Sequence, residues 1–193
     1  RPPIHQSSIT ASHYALDSHA VRKREEGRVH LDGFLSYPSA VYTVPYGVMV
    51  PKEVGNLLLP VPVSGSHIGF STLRMEPCWM AMGQAAGIAS ALSIDGKVKV
   101  QNIDLSRLQD KLVDQKATLM YFKDVDYTSP HFRMVQYLGL RGYLPEWTAR
   151  LREPVDMATL TAWKKLSGKD LPGIEAGKTT RLVALEMIYR KIK

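Results

Sequence analysis

Two stretches of the chain combine residue types that can do chemistry. Ser64-Gly65-Ser66-His67-Ile68-Gly69-Phe70-Ser71 sets hydroxyls, glycines and an imidazole in one polar loop, and Leu73 to Ser93 directly behind it reads as a long helix of small residues. A helix N-terminus carries roughly half a positive charge and free N–H groups, so this element suits a phosphate, a carboxylate or a developing negative charge. A structural turn in front of a buried helix accounts for the same residues. The second stretch is His13-Tyr14, Asp17-x-His19 and Arg22. It reads either as a metal or acid–base cluster or as local loop hydrogen bonding. The loop is not Gly-x-Ser-x-Gly, so a nucleophile elbow is not expected. Cys78 lies one turn into the helix, where a dipole can lower a thiol pKa, but its neighbours Trp79 and Met80 point to a buried, inert thiol. Met75, Met80 and Met82 are expected to fill gaps in the core.

Elements must position these residues. Val41-Tyr42-Thr43-Val44 is β-branched and aromatic and stops at Pro45, as a strand does. Asn56-Leu57-Leu58-Leu59, between Gly55 and Pro60, predicts a short buried strand. Gly83 and Gly87 lie four apart on one helix face and, since glycine costs about 1 kcal/mol there, are expected to admit a strand or a ligand. Asp104 is expected to cap an amphipathic helix with Leu105, Leu108 and Leu112 inward. Farther on, Ser129-Pro130 opens a helix carrying Phe132, Val135 and Leu138 and closed by Gly142. Asp156 caps the next, with Leu160, Trp163 and Leu166 on one side and Gly168 after it. Thr179 or Thr180 caps the last, with Leu182, Leu185, Ile188, Tyr189 and Ile192.

The fold class expected is α+β, short strands plus a long buried helix over 1–118, followed by a small all-α three-helix unit over 119–193. The boundary is expected between about Lys116 and Tyr121, where the pattern changes. The 193 residues are 45% hydrophobic and 22% charged, which excludes wholesale disorder. Nothing approaches a run of about 20 apolar residues, so no membrane span is expected. A single cysteine excludes an intrachain disulfide framework and a cysteine-cluster zinc site, and no metal site is assigned. The net charge of +7 is weighted to the C-terminal part, with 13 basic against 8 acidic residues from 119 onward. These charges are scattered and not interleaved with stacking aromatics, so they describe a solvated helical face and not a nucleic-acid surface. The chain opens at Arg1 without an initiator Met or a signal-peptide core, as a processed, cleaved or truncated product does.

Several motifs agree in register with one family. Tyr42-Thr43-Val44-Pro45-Tyr46-Gly47-Val48-Met49-Val50-Pro51-Lys52, then Asn56-Leu57-Leu58 and Ser64-Gly65-Ser66-His67, then Ser71-Thr72-Leu73-Arg74-Met75-Glu76-Pro77 running into Met82-Gly83-Gln84-Ala85-Ala86-Gly87, closely resemble the C-terminal part of the FAD-dependent oxidoreductases over about residues 8 to 118. The resemblance implies that the polar loop and the following helix N-terminus meet the pyrimidine edge of the flavin. It makes Ser66, His67, Ser71, Thr72, Arg74 and Met75 the candidate cofactor-binding residues; it names no catalytic residue. It also implies that the 13–22 segment borders the substrate side. Where the family often has Ala-Gly-Arg/Asp, this chain has Pro60-Val61-Pro62-Val63, and no Gly-x-Gly-x-x-Gly opens a βαβ unit. The implied partner is therefore a dinucleotide-binding part of the same protein. FAD would belong to the full-length protein, with the 193 residues alone neither active nor holding it tightly. One branch of the family carries the xanthan lyase label, which makes a non-catalytic or carbohydrate-directed module, with the flavin scaffold kept only as structure, the alternative function. The substrate is a small molecule or a carbohydrate. Phe122-Lys123-Asp124-Val125, His131, Leu138-Gly139 and Thr180-Arg181 through Met187-Ile188-Tyr189-Arg190 resemble one degenerate S-layer homology module, with Leu182-Val183 in place of Ala-Glu. No motif of the chain assigns a compartment; an extracytoplasmic or periplasmic one is the expectation.

Overall fold

A computed structural model describes residues 4–18 and 35–193. Near the start, β1 (Ser8–Ser12) pairs antiparallel with β4 (Tyr42–Pro45), and β2 (Leu16–Ser18) pairs antiparallel with β3 (Leu35–Tyr37). The β1–β4 register runs Thr10 opposite Val44 to Ser12 opposite Tyr42 and is irregular between Ser8 and Thr10. Ile9 and Val44 are buried against the helices. Pro45 ends β4, as its missing donor requires, and the chain turns through a 3-10 segment, Tyr46–Met49. The buried Tyr46 hydroxyl donates to the Val100 carbonyl at 2.9 Å, and burial pushes its pKa up to about 12.

The helices then follow: α1 (His67–Leu73), α2 (Glu76–Gly96), α3 (Leu105–Asp114), α4 (Phe132–Leu140), α5 (Met157–Ser167) and α6 (Arg181–Ile192). Together with the short two-stranded sheets this is the expected α+β class. The caps of α3, α5 and α6 follow the sequence, whereas α4 opens at His131 with no side-chain cap and Ser129 Oγ only accepts from His131 N–H just before it. Asp104 accepts from the Ser106 and Arg107 N–H groups at 2.8 and 3.2 Å, Asp156 from Thr159 N–H at 2.7 Å, and Thr180 from Val183 N–H at 3.4 Å. Gly168 closes α5 at φ +60°, a conformation that suits glycine.

Five further expectations need correction. The long helix does not begin at Leu73. Pro77 has no N–H, and its ring would meet the carbonyl of Leu73 four residues back, so the helix breaks. Arg74 and an extended Met75 (ψ 138°) separate α1 from α2, and Pro77 sits in the first turn of α2, where its missing donor costs nothing. The polar loop, in turn, is helical from His67 onward, because the Ser66 hydroxyl accepts from Gly69 N–H at 3.0 Å and caps α1. Asn56 to Leu59 is not a buried strand. Asn56 is left-handed (φ 57°), Leu57 is 38% exposed, and the one backbone tie there is Leu59 N–H to the Met49 carbonyl. Gly83 and Gly87 do not admit a strand: among the described residues nothing lies within 4 Å of a Cβ placed on either. The buried face of α2 carries Ala85, Ala86 and Ala89 instead, and α2 packs against β1 and α3. It is Gly139 on α4 that is crowded, with Met120 Sδ and Phe122 Cζ each 2.9 Å from where its Cβ would lie. Met80 and Leu166, finally, are 74% and 50% exposed and fill no core.

Apolar side chains from Ile9 and Val44 through Met82, Leu108 and Leu138 to Trp163 and Leu185 form one continuous core. Residues 118–120 are bonded from both sides. Ala11 N–H donates to the Thr118 carbonyl and Ser8 Oγ to the Leu119 carbonyl, while the buried Gln136 side chain of α4 binds Leu119 and Met120. Asp110 on α3 receives Arg133 of α4 at 3.2 Å and Lys193 at 2.7 Å. No helix among the described residues is long and apolar enough to cross a membrane.

Candidate active site

The break at Arg74–Met75 is the centre of the site. It brings the last turn of α1, the first turn of α2 and the 14–17 segment together. Thr72 and Ser71, both buried, fasten α1 to that segment. Thr72 Oγ1 donates to the Tyr14 carbonyl at 2.5 Å and accepts from the Tyr42 hydroxyl at 2.6 Å. Ser71 Oγ donates to the Ile68 carbonyl at 2.7 Å and accepts from Asp17 N–H at 3.2 Å. Both hydroxyls therefore have their donor and an acceptor lone pair engaged inside the protein.

Asp17 is a buried carboxylate on β2. Such a group is costly unless it is paired and hydrogen-bonded. Here it receives Nη2 of Arg74 on both oxygens, at 2.9 and 3.0 Å, and the Tyr14 hydroxyl at 3.0 Å. The hydrogen bond to Asp17 holds the Tyr14 phenol above its ordinary value, and the carboxylate likewise raises the Arg74 guanidinium. Arg74 also lies 5.9 Å from the centre of the Tyr14 ring. Nε and Nη1 of Arg74 make no hydrogen bond among the described residues, so one side chain is anchored and still carries open donors.

Of the six candidates, Ser66 and His67 are exposed at the start of α1, Arg74 and Met75 are half-buried at the joint, and Ser71 and Thr72 are buried beneath it. The joint brings them into one neighbourhood in two layers, an inner pair of hydroxyls and an outer set of donors. One turn into α2, the Trp79 indole N–H is buried without an acceptor among the described residues. Cys78 is buried and its thiol is pushed up by that burial, as expected of an inert core cysteine.

Sequence reading weighed the Asp17 cluster as metal or acid–base against local bonding. The structure gives the local Tyr14 contact and adds the ion pair to Arg74, 57 positions away, which no spacing rule reveals. Tyr42 enters the sequence reading as a strand residue and as the first residue of the family motif, and its hydroxyl carries no separate signal there. His19 and Arg22 lie outside the described residues. Among the described residues no group of three or more His, Cys, Asp or Glu side chains is placed to hold a metal ion. A cleft of about 1180 Å³ lined by Lys123, Trp147, Lys165 and Leu166 lies on the C-terminal helices and includes none of the six candidates.

Nε and Nη1 of Arg74, the donors left open at the joint among the described residues, fit a flavin's pyrimidine edge, which presents carbonyl oxygens and gains negative charge on reduction. No curated protein and no solved structure matches the chain. The model of the family described as FAD dependent oxidoreductase matches residues 3–112, more than half of the chain and all of the site just described. Motifs, donor set and family match agree, and the chain belongs to the FAD-dependent oxidoreductase family.

Proposed function

We infer that this chain supplies the part of an FAD-dependent oxidoreductase that meets the flavin's pyrimidine edge, with Ser66, His67, Arg74 and Met75 as the contacting residues. FAD, when bound, supplies the electron transfer itself. The work of these residues is to bind and orient that edge and to favour negative charge on it. Ser71 and Thr72 hold α1 on the 14–17 segment beneath them, and so fix where the outer residues stand. The observation that carries the reading is Arg74, anchored by Nη2 on Asp17 with its remaining N–H groups open. The dinucleotide part of the cofactor falls to another part of the same protein, since no glycine-rich βαβ signature lies in these residues. Residues 119–193 are read as an S-layer-homology-like appendage. In support, Asp124 of the Phe-x-Asp-Val landmark accepts from Ala149 and Arg150 N–H at 2.8 Å each, and Thr180 of the Thr-Arg landmark caps α6. The substrate proposed is a small molecule or carbohydrate reaching the 14–17 side.

The test uses the full-length protein. His67→Ala is expected to lower flavin occupancy or shift its reduction potential more than His131→Ala does. His131 stands before α4, 3.8 Å from Glu186, away from the joint. Equal effects, or none, in anaerobic reductive titrations of both variants would count against this placement.

A further inference from the structure

The geometry points to Asp17 as a positioning residue that sets Arg74 against the flavin edge, with Tyr14 holding Asp17 in turn. This rests on the flavin placement proposed above and adds a claim about how that placement is maintained. Arg74 is the C-cap of α1, its backbone N–H still bonded to the Phe70 carbonyl at 3.0 Å, and Met75 beyond it is extended; that bond fixes the backbone and not the side chain. An unheld arginine spreads over many rotamers, and ordering it costs conformational entropy. Asp17 removes that freedom. Both of its oxygens grip Nη2, its side chain is only 10% exposed, and its backbone N–H is itself fixed by Ser71. Tyr14 donates to the same carboxylate, and its carbonyl is held by Thr72. Every member of the chain Thr72–Tyr14–Asp17–Arg74 is thus tied to the next or to α1. The fixed end of Arg74 is Nη2, and the open end is Nε and Nη1. Donors held in place before the cofactor arrives spend less of their interaction on ordering.

The experiment is a double-mutant cycle on the full-length protein, with Asp17→Asn, Arg74→Gln and the pair. Each is read by the FAD dissociation constant and by the midpoint potential from dye-referenced titration. Arg74→Gln is expected to weaken FAD by about tenfold or more, since it removes a charge-assisted contact. Asp17→Asn is expected to reproduce part of that loss in the wild-type background, to shift the potential with it, and to change neither quantity once Arg74 is Gln. If Asp17→Asn shifts the potential equally in both backgrounds, Asp17 acts through its own charge and the inference is overturned. It is overturned too if Arg74→Gln has its effect and Asp17→Asn has none; the flavin placement survives both results. If Arg74→Gln itself changes nothing, the placement fails and the inference with it. Should Asp17→Asn not fold, Tyr14→Phe takes its place, because it removes one donor to Asp17 and leaves the ion pair. Its smaller shift is expected only where Arg74 is present, and persistence of that shift in Arg74→Gln overturns the inference.

Discussion

Gln136 is completely buried on α4, and its amide makes three hydrogen bonds to a segment outside any helix or strand. Oε1 accepts from Leu119 and Met120 N–H at 2.8 Å each, and Nε2 donates to the Met120 carbonyl at 2.7 Å. Replacing it with Leu keeps an apolar body of similar size and leaves two N–H groups and one carbonyl without those partners in a site closed to water. Orphaning a buried polar group costs about 1–3 kcal/mol, and three such groups relaxing together bring the expected loss to about 3–6 kcal/mol. That is a large share of the roughly 5–15 kcal/mol that a domain possesses. Urea unfolding followed by far-ultraviolet circular dichroism measures it. Gln109→Leu is the control. Its Nε2 donates to the Gln6 and Ser8 carbonyls at 2.7 and 3.1 Å, so the change strands acceptors only, and about 1–2 kcal/mol is expected. A loss below about 1 kcal/mol for Gln136→Leu, or one smaller than the control's, would refute the reasoning that this amide has no apolar substitute.

Three further outcomes are expected. Gly83→Ala and Gly87→Ala should each stabilise the 193-residue chain, by up to about 1 kcal/mol in thermal or urea melts, because open space surrounds both positions among the described residues; a loss of stability would contradict this. The Asp156 carboxyl is held below its usual range by Thr159, whose backbone N–H and hydroxyl both donate to it. Its stabilisation is therefore complete above the unfolded pKa of about 3.9 and is lost as pH falls through the lower folded value. Acid titration of the helical signal should show a low-pH loss that shrinks in Asp156→Asn, and matching titrations of the two proteins would argue against it. The piece 119–193, excised, should give a helical spectrum and a cooperative melt, since it carries Leu138, Leu144, Trp163 and Leu185, all buried in the whole chain. A random-coil spectrum would mean that Ser8, Ala11 and α3 are needed to complete it.

What was legible in the sequence is what local chemistry decides. Asp104, Asp156 and Thr180 announce their helices because a side-chain acceptor four residues before the first buried position has one good use. Pro45 ends a strand for an equally local reason. The motif string from Tyr42 to Gly87 gave the family and the neighbourhood of the site. The break at Arg74 was also present in the residues, in the spacing of Leu73 and Pro77, but it was masked by the helical periodicity on either side. Leu57 to Leu59 read as a buried strand because three leucines usually are one; the left-handed Asn56 turns the chain there, leaving Leu57 exposed while Leu58 packs half-buried against the core. The ion pair of Asp17 and Arg74, and the grip of Gln136 on residues 119 and 120, join positions that only the finished packing brings together. Periodicity carries no trace of them.

The composition of α2 bears on the order in which the molecule assembles. It is 21 residues long, with Gly83 and Gly87 inside it and its buried face made largely of alanine. Two interior glycines forfeit about 2 kcal/mol of helix propensity, so the isolated segment is a weak helix despite its length. What holds it is β1, some 75 positions upstream, and α3 beyond its end. A segment that depends on distant partners consolidates after them. The nucleus of folding should lie elsewhere, with α4 and the chain around it rich in large buried side chains. Changes on α2 should then act mainly on the rate of unfolding and leave the rate of folding almost untouched. The helix that carries the family's Gly-Gln-Ala-Ala-Gly signature is, on this view, the last to set and the first to open.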